Sequence, residues 1–399
     1  MMKSLRIWAL AALVCGILAV SCKPDTPDNP VDPETPENPE PKPVLSPEEQ
    51  LATMSIREKV GQLIIVRPEA IEPAVDWEVT SMTSYKLSKI TASMKKTLEN
   101  YPVGGLIIYA HNIINPFQLS EFTKSIHDLG MLVCIDEEGG SVARIGKNSN
   151  FNVTTYKLMD AIGATGDPKN AYECGNTIGN YLKVYGVDIN FAPVADVNTN
   201  PENVVIGARA FSDDPAVAAP MVTNYLQGLK DAGIVGCLKH FPGHGDTKAD
   251  THYGYAQSLK TWEQMLACEM ITFKEGIKWG AQMIMTAHIA ASKVTGTENP
   301  STMCSVILQD KLRGELGYKG IIITDSMEMG AITQQYTTEE AAVGCIKAGA
   351  DIFLGSLQLE KAFDAIVAAV QSGEIPESRL DESVLRVLRL KQQINSDQL

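Results

Sequence analysis

The stretch KGIIITDS, residues 319–326, decides how the rest of the chain is read. Its apolar core shows no alternation of polar and apolar positions, so the strand it forms must be covered on both faces. Strands covered on both faces belong to parallel sheets. Seven more runs share its character: QLIIV (62–66), GLIIY (105–109), MLVCID (131–136), VDINFAPVAD (187–196), IVGCLKHF (234–241), AQMIMTAHI (281–289) and ADIFLG (350–355). Segments of helical length separate them, such as EQMLACEMITFKEGIKWG (263–280) and AAVGCIKAGA (341–350). Strand alternating with helix implies βαβ units. Eight such units in about 350 residues predict an α/β fold, a (β/α)₈ TIM-type barrel forming a single catalytic domain over 45–399. The alternative is an open doubly wound sheet. No G-x-G-x-x-G loop follows the first run, so a dinucleotide site has no support. The terminal stretch ESRLDESVLRVLRLKQQI (377–394) reads as a helix packed on the outside of the barrel.

The chain opens differently. Lys3 and Arg6 precede the apolar run IWALAALVCGILAV (7–20), which is too short for a comfortable membrane span. Residues 1–21 therefore read as a lipoprotein signal peptide, with Ser21-Cys22 resembling a lipoprotein box and Cys22 as the lipidated mature N-terminus. Ala19 stands where a larger aliphatic is usual, and ordinary secretion is the alternative. Residues 22–44 repeat Pro with Asp, Glu, Thr and Asn, an acidic, extended linker with nothing to bury. An exported protein is expected, lipid-anchored to the bacterial outer membrane and facing the periplasm or the surface. The formal net charge is −14 with no basic cluster, which argues against nucleic acid and against a second membrane contact beyond the lipid. A monomer is expected. The cysteines beyond the leader, at 134, 174, 237, 268, 304 and 345, show no C-x-x-C and read as buried free thiols.

In a barrel of this kind the chemistry gathers where the strands end. Those ends carry Asn112 after the second run, Asp136, Glu138 and Arg144 after the third, and Asp196 and Asn198 after the fourth. They carry Lys239 and His240 after the fifth, His288 after the sixth, and Asp325 and Glu328 after the seventh. The stretch KHFPGHGDTKADTH (239–252) adds His244, Asp246, Asp250 and His252, with Gly243 and Gly245 allowing tight geometry around His244. A carboxylate beside an imidazole orients it and favours its protonated form, so Asp250 and His252 could serve as general acid and then general base. Asp325 ends an apolar strand and has no structural reason to be there. Plainer roles exist for the others. His240 and His244 could be loop histidines bonded to backbone, Lys239 could reach water, and His288 could be structural. Asp136 and Glu138 could cap a helix, and Glu328 could favour a helix dipole. The histidines and aspartates of 239–252 are also metal-ligand types, although no H-x-H ends the first run, where a metal hydrolase would want one.

Five pieces then decide between these readings: DEEGGSVAR (136–144), FAPVADVNTNPENVVIGARAFSDDP (191–215), KHFPGHGDTKADTHYG (239–254), MIMTAHI (283–289) and GIIITDSMEMGAI (320–332). Together and in this order they resemble glycoside hydrolase family 3, and within it the single-domain β-N-acetylglucosaminidases. The resemblance implies Asp325 as the nucleophile of a retaining glycosidase, and His252 with Asp250 as the acid/base dyad. It implies Asp136, Arg144, Arg209, Lys239 and His240 as contacts to the sugar hydroxyls and N-acetyl group, with no metal and no cofactor. Retaining partners stand roughly 5–5.5 Å apart, so a mobile loop carrying His252 would have to close over the site. Val204 and Ala210 depart from the residues usual in the family, Pro and Ser, on either side of Arg209. The expected activity is that of a retaining exo-β-N-acetylglucosaminidase on terminal β-linked GlcNAc, in a glycan or muropeptide derived from peptidoglycan. A family 3 β-glucosidase or β-xylosidase, a metal-dependent amidohydrolase and a non-catalytic sugar-binding lipoprotein are the alternatives. Whether water or phosphate attacks the intermediate stays open. The insertion 67–101 is expected to fold over the rim.

Overall fold

A computed structural model describes residues 45–75, 86–396 and 399. The expected signal peptide, Cys22 and the linker lie outside the described residues. Each of the eight apolar runs supplies one barrel strand: β1 (Ile64–Val66), β2 (Gly105–Ile108), β3 (Leu132–Ile135), β4 (Ile189–Asn190), β5 (Val235–Phe241), β6 (Met283–Thr286), β7 (Ile321–Thr324) and β8 (Phe353–Leu354). They pair in parallel in chain order, and β8 returns to β1 through Ile64↔Phe353 and Ile65↔Leu354. A bridge between Ile323 and Ile352 joins the remaining edge.

The lack of alternation now has its cause. Ile65, Ile107, Cys134, Ile189, Cys237, Met285, Ile323 and Leu354 fill the barrel interior. Their neighbours Ile64, Ile108, Val133, Leu238, Ile284, Ile322 and Phe353 pack outward against the helices. Side chains still alternate with period two, but both directions are dry. The fourth run is the exception in length. Only Ile189–Asn190 forms a ladder, because Pro193 has no N–H to donate and the chain beyond it makes single contacts such as Ala195 N–H to the Lys239 carbonyl.

The C-terminal helix, Glu377–Asn395, does not lie on the barrel's outside. It crosses the N-terminal end of the barrel, and its Val387 and Leu390 join the interior cluster. Lys391 Nζ donates to Gln62 Oε1 (2.8 Å) and to the Gly130 carbonyl (3.0 Å), and Gln282 reaches Gln393; all three contacted residues precede strands. A short barrel with an apolar interior needs a lid at the end that carries no site, and this helix is that lid. Beneath it Asp351, fully buried, accepts from Arg313, Arg386, Ser383 and the Ile322 N–H.

Among the described residues the six cysteines are free, and all but Cys268 are buried. Of the insertion, Leu87 and Ser88 lie at the opposite, C-terminal rim, and the helix Ala92–Asn100 then leads back to the start of β2. Asn112 and Gln118, which follow β2, donate to the Leu87 and Ser88 carbonyls at 2.8 and 2.7 Å.

Candidate active site

The C-terminal ends of the strands surround a cavity of about 630 Å³. Its depth is charged. Lys239 Nζ lies 2.9 Å from Asp136 Oδ1 and 2.6 Å from Glu138 Oε1, and Arg209 grips both oxygens of Glu138 at 2.7 and 3.0 Å. Burial works to raise the Glu138 pKa, but Arg209 and Lys239 outweigh it and hold the carboxyl far below its usual range. Lys239 shows the reverse balance: burial works against its charge, and Asp136 with Glu138 restores it. Arg144 completes the group at 3.4 Å from Asp136 Oδ2.

Two consecutive residues of one strand, Lys239 and His240, both line this cavity. Regular strand geometry would send them to opposite faces. The register of β5 against β6 shifts between Leu238 and Phe241, and this bulge turns both inward. His240 Nδ1 donates to Asp196 Oδ2 at 2.7 Å, which leaves Nε2 for the cavity. Asp196 is buried and held ionised; desolvation is outweighed by His240, His244 and the His244 N–H. Asp196 is therefore an anchor for the loop rather than a wall of the site.

The triplet Asp136-Glu137-Glu138 divides its labour. Glu137 points away from the cavity and accepts from the backbone N–H groups of Ile145 (2.9 Å) and Gly146 (2.8 Å) and from the Tyr181 hydroxyl (2.8 Å). It fixes the turn that presents Arg144. Neither Asp136 nor Glu138 caps a helix, because none starts there.

Asp325 stands just beyond β7, with its N–H bonded to the Thr286 carbonyl. The Ser326 N–H takes Oδ1 at 2.7 Å, leaving Oδ2 as the candidate attacking atom. Burial favours the neutral acid, but His240, His288, the Ser326 amide and Lys239 together lower the pKa below the usual carboxylate value. His288 does not line the cavity. Its Nε2–H donates to the Ser326 carbonyl at 2.9 Å and its Nδ1 meets Thr302 Oγ1, so it fixes the segment next to Asp325. Burial holds its pKa down.

His252 Nδ1 and Asp250 Oδ1 are 2.8 Å apart, and the same oxygen accepts the His252 N–H at 2.9 Å. Nε2 is the nitrogen left for a ligand. The loop is docked: Gly330 N–H donates to the His252 carbonyl and Ala331 N–H to the Thr251 carbonyl, both at 3.1 Å. A Cβ on Gly330 would come within 2.8 Å of the His252 oxygen, so the docking requires that glycine. The dyad is thus tied to the helix that follows Asp325. His244 lies deeper, between Thr247 and Thr251, and burial pushes its pKa down to about 4. Among the described residues no three His, Cys, Asp or Glu side chains are placed to hold a metal ion.

Glycosyl hydrolase family 3, N-terminal domain, is the family whose model matches, over residues 55–390. The chain belongs to that family. A β-hexosaminidase of Nitrosospira multiformis is 32% identical over 78% of this chain and 88% of its own length. β-Hexosaminidase A of Pseudoalteromonas piscicida is also 32% identical, over 76% of this chain, but only 56% of that protein is matched. The solved family 3 β-N-acetylglucosaminidase from Paenibacillus sp. superposes with a TM-score of 0.79 at 35% identity, covering 86% of this chain and 64% of that one.

Of the residues singled out in this family 3 chain, Asp325, His252, Asp136, Arg144, Arg209, Lys239 and His240 line one cavity, and Asp250 backs His252. Glu328 stands just before the helix Gly330–Thr333, but its carboxylate faces Arg67 at 3.4 Å, and burial raises its pKa. Sequence reading passed over Arg67, Tyr109 and His111, which form the wall beside Glu328. Arg67 packs 5.2 Å from the Tyr109 ring, and the Tyr109 and His111 rings stack. Arg67 follows the first run directly, Tyr109 closes the second and His111 stands two residues beyond it, beside the Asn112 that was singled out there. Around Arg209, Ala210 is buried and Val204 is exposed. The turn keeps its shape through Asn203, which accepts from the N–H groups of Val205 and Ile206 and donates to the His244 carbonyl.

Proposed function

We propose that this protein is a retaining exo-β-N-acetylglucosaminidase that removes terminal β-linked GlcNAc by way of a glycosyl-Asp325 intermediate. The observation that carries the reading is one cavity lined by an ionised, amide-fixed carboxylate and by a histidine whose far nitrogen is held by a second carboxylate. Asp325 Oδ2 attacks the anomeric carbon as the glycosidic bond breaks, and His252 Nε2–H protonates the departing oxygen. His252 then takes a proton from water, which attacks the same carbon and frees Asp325. Asp250 keeps the Nδ1 proton in place throughout. The charged cluster at depth suits sugar hydroxyls, and a blind end of this kind supports release of a single terminal sugar. A histidine acid is cationic when protonated and tolerates an anionic neighbour, which favours leaving groups such as the muramic acid of peptidoglycan fragments. Export with a lipid on Cys22 would place the enzyme beside that polymer.

The test is release of p-nitrophenol from β-GlcNAc, β-glucose and β-xylose glycosides with and without EDTA, followed by trapping with a 5-fluoro-GlcNAc donor and peptide mass mapping. Chelator-resistant turnover of the GlcNAc glycoside, with the label on Asp325, is expected. Preference for glucoside or xyloside would move the substrate, and loss of turnover with EDTA or a label elsewhere would overturn the mechanism.

A further inference from the structure

The cavity changes character from depth to mouth. Its floor is charged and internally paired, whereas the mouth carries Tyr253, which is 81% exposed although it lines the cavity. Backbone and ring of this residue are treated differently. Its N–H donates to the Asp250 carbonyl at 3.1 Å and its carbonyl accepts from Gln334 Nε2 at 2.9 Å. The two preceding carbonyls are bound by Gly330 and Ala331. Among the described residues the phenol ring itself has neither a hydrogen bond nor a ring contact. A fixed backbone thus holds a large aromatic face toward water.

On the reading given above, geometry then says what meets that face. The sugar that forms the covalent intermediate occupies the charged floor. Its leaving group must lie on the side of the proton donor, His252, and toward solvent, and Tyr253 is the next residue along the chain. Val205 also lines the cavity and its neighbour Val204 is 83% exposed, so the cavity offers apolar surface besides its charge. The C–H face of a pyranose is flat and apolar, and its hydroxyl rim is polar. An aromatic ring with a phenolic edge complements both.

We propose that Tyr253 is a specificity-determining residue, a stacking platform for a carbohydrate leaving group. This rests on the retaining-glycosidase reading of the same cavity. It adds that the enzyme selects its leaving group for having a pyranose ring.

The test compares two substrates that share the GlcNAc donor: N,N′-diacetylchitobiose, whose leaving group is a sugar, and methyl β-GlcNAc, whose leaving group has no ring. The quantity read is the ratio of kcat/KM for the first to kcat/KM for the second. Tyr253→Ala is expected to lower that ratio about tenfold, and Tyr253→Phe to keep it within about threefold of the unaltered enzyme. An unchanged ratio in the alanine variant overturns the inference even if both rates fall, because equal falls mean that Tyr253 only supports His252. A lowered ratio that phenylalanine does not restore overturns the stacking role and leaves the hydroxyl as the contact. If the unaltered enzyme releases GlcNAc from neither substrate, the reading of the cavity itself has failed, an outcome distinct from the other two.

Discussion

Each end of the barrel buries a knot of opposite charges, and the two knots have different surroundings. At the N-terminal end Asp351 is enclosed by Arg313, Arg379 and Arg386 under the C-terminal helix, and it also binds Ser383 and the Ile322 N–H. At the C-terminal end Glu138 and Asp136 bind Lys239, Arg209 and Arg144 along the wall of an open cavity. Burial and ion pairing are common to both. The difference is what the charges connect. The Asp351 knot joins β7, the turn before β8 and the lid helix, so it holds segments together. The Asp136–Glu138 knot joins the ends of β3, β4 and β5 and leaves a face toward space that a ligand can enter. A buried ion pair is weak evidence of function on its own; one that borders a cavity at the end where strands terminate is much stronger.

The sharpest way to break that contrast is a crossed pair of substitutions. Asp325→Ala, at the open end, is expected to lower turnover by about 10⁴-fold or more and to move the thermal midpoint by no more than about 3 °C. Asp351→Ala, at the closed end, is expected to cost about 3–5 kcal/mol of stability, because three guanidinium groups would then face one another without their buried counter-ion, with only the exposed Glu382 beside Arg386. Arg313 already shows the strain: burial and the neighbouring Arg386 hold its pKa below the usual guanidinium value even with Asp351 present. Thermal melting and turnover on the same samples decide it. An Asp351→Ala protein that melts normally but has lost activity would make the closed end functional and sink the distinction.

Within the open end, the Asp250–His252 pair can be separated from Asp325. Asp250→Asn keeps the shape of the loop but removes the carboxylate that holds the Nδ1 proton of His252, and kcat should fall about 10²–10³-fold. The fall in kcat/KM should be larger for a sugar leaving group than for p-nitrophenol, which departs with little need of a proton. Equal losses on both substrates would mean that Asp250 acts by holding the loop, not by its hydrogen bond to the imidazole.

The two ends also differ in how far they could be read from residues alone. All eight strands were legible, because burial on both faces leaves an unbroken apolar run that few other structures require. The strand-end rule led to the cavity; at the first run it would have reached Arg67, and at the second it picked Asn112, which lies outside the cavity lining, in place of Tyr109 and His111. The acidic triplet 136–138 was not separable in sequence. Which carboxylate meets Lys239 and which meets the 145–146 amides depends on a turn whose path only the fold shows. The lid helix shows the same limit. Its periodicity identifies the buried face, with Val384, Val387 and Leu388, but contains nothing about which surface that face covers. Periodicity reports that a side chain is buried, not against what.

The smallest expected effect concerns protons, and it sets the two ends in opposition. At the open end His244 is kept neutral by burial, with a pKa of about 4 against an ordinary value of 6.5, and His288 is shifted in the same direction. The unfolded chain takes up these protons first as pH falls. Stability contributed by keeping the rings neutral is therefore lost between about pH 6.5 and pH 4, by up to about 3 kcal/mol for His244, and changes no further below that. At the closed end His127 pairs with Asp188 at 2.9 Å, and that hydrogen bond raises its pKa. Its contribution has the opposite sign: it is fully present below the unfolded pKa and lost as pH rises through the folded one. The ring is partly exposed, so solvent screens it and the effect is the smaller of the two. The lowered carboxylates, Glu138 and Asp196, act only in the more acid range, where their stabilisation is lost as they protonate. Between pH 7 and pH 4, then, the unaltered protein should lose stability in urea titrations. His244→Asn should flatten that slope and His127→Gln should steepen it. If His127→Gln flattens the slope instead, the closed end is not proton-stabilised, and the opposition between the two ends does not extend to their histidines.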